Sequence, residues 1–240
     1  MNYVVIFAGG VGSRMGNPTP KQFLKVDNKP IIIHVVEKFS NHPLIDGIVV
    51  VSKEEYINYC RELSEEYHTV KVLDVVAGGK NGQESIYNGV NAIYQNFSKN
   101  PKEDIVLIHD GVRPVITEQL ITDSIRSVLK YGNSIAVSKA IETVIRVDEE
   151  GTVVDTVDRS ECRNAKAPQC FILEDLWQTH QRAIKEGVLD TIDSATLMSR
   201  YGVTLHTVEC EPENIKITTP NDYYMFQALY HAGGQAKDNS

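Results

Sequence analysis

Short runs of apolar residues alternate with amphipathic segments along the first 140 residues of the chain. The runs are continuous, which is typical of buried parallel strands, and the segments between them repeat their apolar positions at helical spacing. This order predicts an α/β fold, a Rossmann-like and mostly parallel sheet with helices on both faces. Strands are predicted at Tyr3–Phe7, Gly47–Ser52, Val70–Val76, Asp104–Ile108 and Ser134–Val137, and helices at Pro30–Ser40, Lys53–Tyr67, Gln83–Phe97 and Thr117–Lys130.

The pattern changes after residue 140. Thr143–Val147 and Thr152–Val157 alternate β-branched and polar residues around a turn that contains Gly151, which predicts a β-hairpin. A hairpin that interrupts an α/β order is expected to project from the domain. Because a two-stranded hairpin is only marginally stable alone, we expect this arm, residues 141–163, to pack on a second copy of the chain.

After the arm the chain returns to helices and strands. Helices are predicted at Leu173–Lys185, Asp193–Arg200 and from Pro220 onward, and strands at Val203–Val208 and Ile215–Thr218. We therefore assign residues 1–232 to a single domain that includes the arm, and residues 233–240 to a flexible tail.

The composition of the 240 residues is ordinary for a globular protein, with 42% hydrophobic and 23% charged residues. The net charge of −8 argues against binding to nucleic acid or to an anionic membrane, because either needs a basic face. No apolar run reaches the ~18 residues of a membrane-spanning helix, and the first apolar stretch lacks the cationic lead of a secretory signal. The four cysteines form no CxxC pair, so we expect reduced thiols and a cytoplasmic protein.

A glycine-rich segment follows the first predicted strand. It runs Ala8-Gly9-Gly10-Val11-Gly12-Ser13-Arg14 and is followed by Pro20-Lys21-Gln22. Glycines at a strand-to-loop turn let backbone N–H groups face a phosphate chain without obstruction from side chains, and Arg14 and Lys21 supply the cations that a triphosphate needs. The P-loop pattern is absent and the dinucleotide-binding pattern fails at Met15. The segment therefore predicts a nucleoside-triphosphate site through Ala8, Gly9, Gly10 and Gly12.

Further polar groups follow other predicted strands. Gly78 and Gly79 follow one strand, with Ser85 a few residues on, and His109-Asp110 with Arg113 follows another. Because the carboxyl ends of parallel strands meet at one edge of a sheet, we expect these groups to converge with the glycine-rich segment. His109 is interpreted as structural, since no nucleophile is paired with it.

Lys216 lies in the predicted apolar strand Ile215–Thr218. An unpaired ammonium would be costly there, so an anionic partner is expected. The α-phosphate of a nucleotide is one partner, and a neighbouring acid, Glu211 or Glu213, is the alternative.

The order of these motifs resembles that of a known enzyme family. AGGxGxRMG and PKQ, then GG and Ser85, then HDxxRP, a hairpin and finally NIKxTTP resemble the cytidylyltransferases that make CDP-activated polyols. These are the 2-C-methyl-D-erythritol 4-phosphate and ribitol-5-phosphate cytidylyltransferases. The resemblance extends from Val4 to about Ala232. It implies a nucleotidyltransferase-type fold, CTP and a phosphorylated polyol as substrates, Mg²⁺ or another divalent cation, and a homodimer formed through the arm.

The resemblance also implies roles for individual residues. It makes Arg14, Lys21 and Lys216 the catalytic charges around the triphosphate, and Gly78, Gly79 and Ser85 the groups that hold cytosine and ribose, with Asp110 also on the nucleotide side. It assigns the acceptor's phosphate to Asp110, Arg113, Thr143, Arg159 and Ala167, with Thr143 and Arg159 reaching it from the neighbouring subunit. Three positions depart from the family pattern, namely Gly82 for arginine, Glu142 for aspartate and Ala167 for threonine. These departures bear on the base and the acceptor.

The implied reaction is attack by the acceptor's phosphate oxygen on the α-phosphorus of CTP. A phosphate monoester with a second pKa of about 6 is already mostly dianionic at neutral pH, so no general base is needed. D-ribitol 5-phosphate is the expected acceptor, since Ala8-Gly9-Gly10 and Thr218-Thr219-Pro220 look closer to the ribitol branch. Methylerythritol 4-phosphate is the alternative, because Thr156-Val157-Asp158-Arg159 looks closer to that branch. A nucleotidyltransferase for another base or a sugar 1-phosphate, and a non-catalytic nucleotide-binding protein, also stay open.

Overall fold

A computed structural model of the chain describes residues 1–9 and 19–238, with side chains as far as residue 232. Within these residues the strands are β1 (Asn2–Phe7), β2 (Lys25–Val26), β3 (Lys29–Pro30), β4 (Gly47–Ser52), β5 (Val72–Ala77), β6 (Ile105–Asp110), β7 (Asn133–Lys139), β8 (Val144–Val147), β9 (Val153–Val157), β10 (Arg163–Ile172) and β11 (Thr207–Glu209). The helices are α1 (Ile31–Ser40), α2 (Ile57–Glu66), α3 (Gly82–Asn96), α4 (Glu118–Tyr131), α5 (Leu173–Lys185), α6 (Ser194–Arg200) and α7 (Pro220–Asp238).

Seven of the described strands form one sheet, in the order β11-β7-β10-β6-β1-β4-β5. Strand β1 pairs in parallel with β4 and β6, β4 with β5, and β11 with β7. Strand β10 lies antiparallel between β6 and β7. The predicted α/β fold with a mostly parallel sheet is therefore confirmed, with one antiparallel strand inserted.

Helices cover both faces of the sheet, as predicted. Neighbouring residues of β1 point to opposite sides, so Val4 and Ile6 lie in one apolar cluster while Tyr3 and Val5 lie in the other. The first cluster includes residues of α1, α2 and α4, and the second includes residues of α3, α5 and α6. No helix in the described part of the chain is long and apolar enough to cross a membrane.

The hairpin predicted after residue 140 is present. Strands β8 and β9 pair antiparallel and form a sheet of their own. The turn between them contains Gly151 at a φ of +84°, a conformation that favours glycine. The chain rejoins the main sheet where Arg163 pairs with Lys139.

Three predictions for the second half of the chain are wrong or shifted. Strand β10 was not expected, the strand predicted at Val203–Val208 is the shorter β11, and Ile215–Thr218 is a loop rather than a strand. Ile217 N in that loop donates to Val112 O at 2.8 Å, a single backbone bond rather than a ladder. The backbone of α7 stays helical to Asp238, past Gly233, where the flexible tail was predicted to begin.

Candidate active site

The carboxyl ends of β1, β4, β5 and β6 meet at one edge of the sheet. Ala8 N donates to Val51 O at 2.7 Å, which joins the residue after β1 to β4. Gly78 N donates to Ser52 O at 2.7 Å, and Gly111 N donates to Phe7 O at 3.0 Å. The predicted convergence of these segments is therefore present among the described residues. Gly10, Gly12 and Arg14 of the predicted triphosphate site lie outside the described residues.

Ser85 and three glycines line one end of this edge. Ser85 Oγ accepts a hydrogen bond from Gly79 N at 3.0 Å and donates to Asn81 O at 2.7 Å. A Cβ at Gly78 would lie 3.0 Å from Ser85 Oγ, and one at Gly9 would lie 3.9 Å from it. Glycine at these two positions keeps side chains out of the space beside the Ser85 hydroxyl. The structure thus brings Gly78, Gly79 and Ser85, the groups predicted to hold the base and ribose, together with Gly9, which was predicted to bind the triphosphate.

Asp110 is the centre of the second group. It ends β6, is 5% exposed, and has one cation on each carboxylate oxygen. Lys216 Nζ lies 2.6 Å from Oδ1 and Arg113 Nε lies 3.2 Å from Oδ2. Burial alone would raise the pKa of this carboxyl group, but the two cations outweigh burial and hold its pKa below the ordinary value. Asp110 is therefore an ionised carboxylate that orients both cations.

Lys216 has the anionic partner that was predicted for it, but it does not lie in the apolar strand from which that partner was predicted. Lys216 lies in a loop instead of a strand, its side chain is 41% exposed, and its ammonium is paired. The partner is Asp110, whereas the sequence suggested Glu211 or Glu213 as the acidic alternative. A residue so distant in sequence could not be found from a local pattern. Because its side chain is partly exposed, a ligand can still reach Lys216 from solvent.

The Pro-Lys-Gln segment links the glycine-rich segment to the Lys216 loop. Lys21 Nζ donates to Ile217 O at 2.9 Å. The next residue, Gln22, is buried and donates through Nε2 to Ala8 O at 2.7 Å. These two bonds hold the Lys21-Gln22 step beside both Ala8 and the loop of Lys216, a role for Gln22 that was not predicted.

A buried network joins Arg113 to Ala167. Arg113 Nη1 donates to Asn214 O at 2.6 Å, and Asn214 Nδ2 donates to Ala167 O at 2.7 Å. Lys166 Nζ also reaches Asn214 O at 3.2 Å. Lys166 had no assigned role because strand β10 was not predicted. Asn214 lies inside the quoted NIK motif, so its position was known but its side-chain contact was not.

Cations outnumber the carboxylate in this part of the described structure. Arg113 and Lys216 share Asp110, while the bonds described for Lys21 and Lys166 go to carbonyl oxygens. One carboxylate carries a single negative charge, so Arg113 and Lys216 together keep one net positive charge around Asp110. Such a site favours a polyanionic ligand.

The arm residues are held separately. Arg159 Nη1 donates to Ile141 O at 3.0 Å, and Thr143 is exposed. An open groove of about 740 Å³ at the base of the arm is lined by Arg159 together with Lys139 and Arg163. Among the described residues, neither Thr143 nor Arg159 has a hydrogen bond or ion pair to Asp110 or Lys216.

His109 does not act as a base in this site. It is fully buried, and its Nε2 donates to Arg113 O at 3.0 Å. Burial lowers its pKa to about 4, so the ring is neutral at neutral pH. Its ring packs edge-on against Phe39 at 4.9 Å. The structural interpretation of His109 agrees with these contacts.

The known proteins that this chain is similar to are cytidylyltransferases. The family model described as 2-C-methyl-D-erythritol 4-phosphate cytidylyltransferase (IspD) matches residues 2–231. A protein of Streptococcus agalactiae serotype III named ribitol-5-phosphate cytidylyltransferase is 47% identical, over 97% of this chain and 96% of its own length. A 2-C-methyl-D-erythritol 4-phosphate cytidylyltransferase of Clostridium botulinum is 37% identical, over 95% and 96%. The crystal structure of the Francisella tularensis enzyme with that second name is 31% identical with a TM-score of 0.77, over 94% and 99%.

Proposed function

The chain belongs to the IspD family of cytidylyltransferases, and on that basis we propose that it transfers the cytidylyl group of CTP to D-ribitol 5-phosphate. The products are CDP-ribitol and pyrophosphate. The observation that carries the choice of acceptor is the difference in identity between two groups of relatives. The protein named for ribitol 5-phosphate is 47% identical to the chain, and the one named for methylerythritol 4-phosphate is 37% identical.

Methylerythritol 4-phosphate is the second candidate acceptor. The sequence Thr156-Val157-Asp158-Arg159 favours it, and Asp158 is fixed in the arm by accepting hydrogen bonds from Ser160 N and Ser160 Oγ, each at 2.8 Å. The acceptor site also contains Ala167, which offers no hydroxyl to either polyol. The identity of the relatives therefore outweighs this one segment.

In the proposed reaction a phosphate oxygen of the acceptor forms a bond to the α-phosphorus of CTP. The bond from that phosphorus to the bridging oxygen breaks, and pyrophosphate leaves with the electron pair. Since the attacking phosphate is already ionised, the step needs position and charge rather than a base. A neutral, buried His109 is consistent with this requirement.

Lys216 and Lys21 are assigned to offset the negative charge that develops around the α-phosphate, because their bonds to Asp110 and to Ile217 O hold them at the same loop. Arg14, which lies outside the described residues, is assigned to the triphosphate by the motif alone. Arg113 is buried and fixed by Asp110 and Asn214, and the family resemblance supports its assignment to the acceptor side of the site. Ala8, Gly9, Gly10 and Gly12 take the triphosphate, while Gly78, Gly79 and Ser85 take the base and ribose.

A divalent cation, Mg²⁺ in the first instance, is expected because members of the family are generally metal-dependent. The part of the chain that the structure describes contains no group of three His, Cys, Asp or Glu residues that could hold a metal. Both oxygens of Asp110 are engaged by cations. These residues do not form a protein-built metal site. Mg²⁺ commonly arrives on substrate phosphates instead, and we derive no step through it.

The arm supports a dimer with shared sites. Strands β8 and β9 form a separate two-stranded sheet, and a hairpin of this kind needs a packing partner. Ile141, Val147 and Val154 are 70%, 53% and 60% exposed. We propose that this apolar surface packs on a second copy of the chain and brings Thr143 and Arg159 to the acceptor phosphate of that copy.

The function is tested by measuring pyrophosphate release. The purified protein with Mg²⁺ is given each nucleoside triphosphate together with ribitol 5-phosphate, methylerythritol 4-phosphate, glycerol 3-phosphate or a sugar 1-phosphate. We expect release with CTP and ribitol 5-phosphate at the highest kcat/KM. A higher kcat/KM for methylerythritol 4-phosphate would replace the acceptor, a purine preference would overturn the cytidylyl assignment, and no release with any pair would indicate a binding protein.

The shared site is tested by mixing two inactive variants. Arg159→Ala removes the arm's guanidinium, and Lys216→Ala removes the ammonium of the other half-site. Random mixed dimers would regain about a quarter of wild-type activity, because half of the dimers are mixed and each has one intact site. No recovery, with dimers present by light scattering, would show that Arg159 acts within its own subunit or not at all.

A further inference from the structure

The loop that carries Lys216 has few contacts of its own. Residues 210–219 form neither helix nor strand in the structure. The loop is fastened at its start by Cys210 N, which donates to Val137 O at 2.8 Å, and near its end by Ile217 N, which donates to Val112 O at 2.8 Å. Lys216 directly precedes the second of these points, where Lys21 Nζ also donates to Ile217 O at 2.9 Å, and residues 212–214 lie between the two points.

Side-chain donors from two other elements hold that middle segment. Lys166 Nζ, on β10, donates to Pro212 O at 2.8 Å and to Asn214 O at 3.2 Å. Arg113 Nη1 donates to Asn214 O at 2.6 Å. The side chain of Asn214, which is 2% exposed, returns to β10 by donating to Ala167 O at 2.7 Å. The ammonium of Lys166 thus bonds two backbone carbonyls of the loop at once, those of Pro212 and Asn214.

This position is electrostatically unusual for a lysine. Partial burial lowers the pKa of Lys166, and Arg113 lowers it further, while Cys210 and Glu213 act in the opposite direction. A lysine whose task was only solubility would point into solvent, where neither cost arises. Here the ammonium lies against a second cation, and both share one carbonyl oxygen.

We propose that Lys166 is a positioning residue that fixes the 212–214 segment and thereby sets Lys216 in place for transfer. The effect of Lys166 on the rate rests on the proposed function, whereas its effect on the loop rests on the hydrogen bonds alone. Arg113 reaches the loop from Asp110, whose other oxygen binds Lys216. The contacts thus run from Lys166 on β10 through Asn214 O to Arg113, and from there through Asp110 on β6 to Lys216.

The structural part is tested without activity. Hydrogen exchange is followed by mass spectrometry in peptides covering residues 210–217, for wild type, Lys166→Met, Lys166→Arg and the control Lys185→Met. Lys185 is exposed on α5 and lies outside the site. We expect exchange in this loop to rise about tenfold in Lys166→Met, the size of one lost charged hydrogen bond, and to return toward wild type in Lys166→Arg. Unchanged exchange in Lys166→Met would overturn the proposal.

The kinetic part separates positioning from a general loss of structure. If Lys166 acts through Lys216, then kcat falls about tenfold in Lys166→Met while the KM for CTP stays within about twofold. The melting temperature should stay near that of the Lys185→Met control, and Lys166→Arg should recover most of kcat. A change in KM for the acceptor alone would mean that Lys166 binds that substrate directly and would overturn the positioning role.

A double-mutant cycle decides whether the effect passes through Lys216. In the Lys216→Met background the further change Lys166→Met should reduce the remaining rate by less than about twofold, since a positioned group that is absent cannot be misplaced. Additive losses would show that the two lysines act independently. Failure of the proposed function is recognised separately, because the wild-type protein would then release no pyrophosphate. The hydrogen-exchange experiment would still decide whether Lys166 fixes the loop.

Discussion

Replacing Lys216 by methionine separates the chemical role of this residue from its structural one. Methionine keeps an unbranched stem but removes the ammonium that lies 2.6 Å from Asp110 Oδ1. If the ammonium offsets charge that develops at the α-phosphate, its loss removes about 3 kcal/mol of transition-state stabilisation, or about 100-fold in kcat. The loss should appear in kcat and kcat/KM alike, because the interaction is formed only in the transition state.

The expected cost to stability is much smaller. The Lys216 side chain is 41% exposed, so solvent already screens its pair with Asp110, and Arg113 still compensates the buried carboxylate after the change. We expect about 1 kcal/mol of lost stability, which corresponds to a melting temperature about 2–4 °C lower in a chain of this size. Rate and stability should therefore move by very different amounts.

The measurement is steady-state pyrophosphate release with CTP, Mg²⁺ and ribitol 5-phosphate, each varied at saturation of the other, beside a thermal melt. Lys216→Arg is the matched control, since it keeps the charge but changes its shape, and it should retain a larger part of kcat than methionine does. A rate for Lys216→Met within about threefold of wild type would refute the charge role. A large fall in melting temperature with the rate would show that the pair with Asp110 is mainly structural.

Other substitutions test the same structure by different readouts. Asp110→Asn leaves a buried guanidinium without its charge partner and should cost about 3–5 kcal/mol in urea unfolding, and a cost below about 1 kcal/mol would contradict the pairing described. Gly89→Ala would place a Cβ 2.5 Å from Val5 Cγ1, so thermal unfolding should show a loss of about 1–3 kcal/mol, whereas Gly82→Ala, with nothing within 4 Å of its added Cβ, should leave the melt unchanged. The folded-state pKa of His109 is about 4, below the ordinary value of 6.5. The contribution of the neutral ring to folding stability is therefore complete above pH 6.5 and is lost as the pH falls toward 4. Urea unfolding across that range should show a decline in the free energy of unfolding that is smaller by about 3 kcal/mol in His109→Asn than in wild type.

The parallel part of the fold could be predicted because its signals are local. A strand such as β4, buried along its whole length, reads as a continuous apolar run, Gly47–Ser52, and its helical neighbours keep apolar residues at helical spacing. The meeting of the segments after these strands at the carboxyl edge then follows from topology, as the bonds from Ala8 and Gly78 to β4 show. Local pattern and tertiary contact agree in this half of the chain.

Strand β10 could not be predicted because its local signals oppose it. Its first residues are polar, and Pro168 removes a backbone donor. The pairing register shifts between Ala165 and Gln169, which accommodates the proline at an irregularity. The strand is stabilised by pairing with β6 and β7 on its two sides. Such long-range contacts cannot be predicted from a short segment of sequence.

The same limit explains why the site's cations were found but their partners were not. A lysine or arginine beside glycines indicates phosphate chemistry by its type alone, whereas its partner depends on which loop crosses which strand end. The structure gives Lys216 to Asp110, Lys21 to Ile217 O, and Lys166 to the carbonyls between them. Asp110 also pairs with Arg113, so one carboxylate serves two cations and one net positive charge is left around it. These contacts arrange the cations before a ligand arrives, and the negative charge of a phosphate would balance the charge that remains.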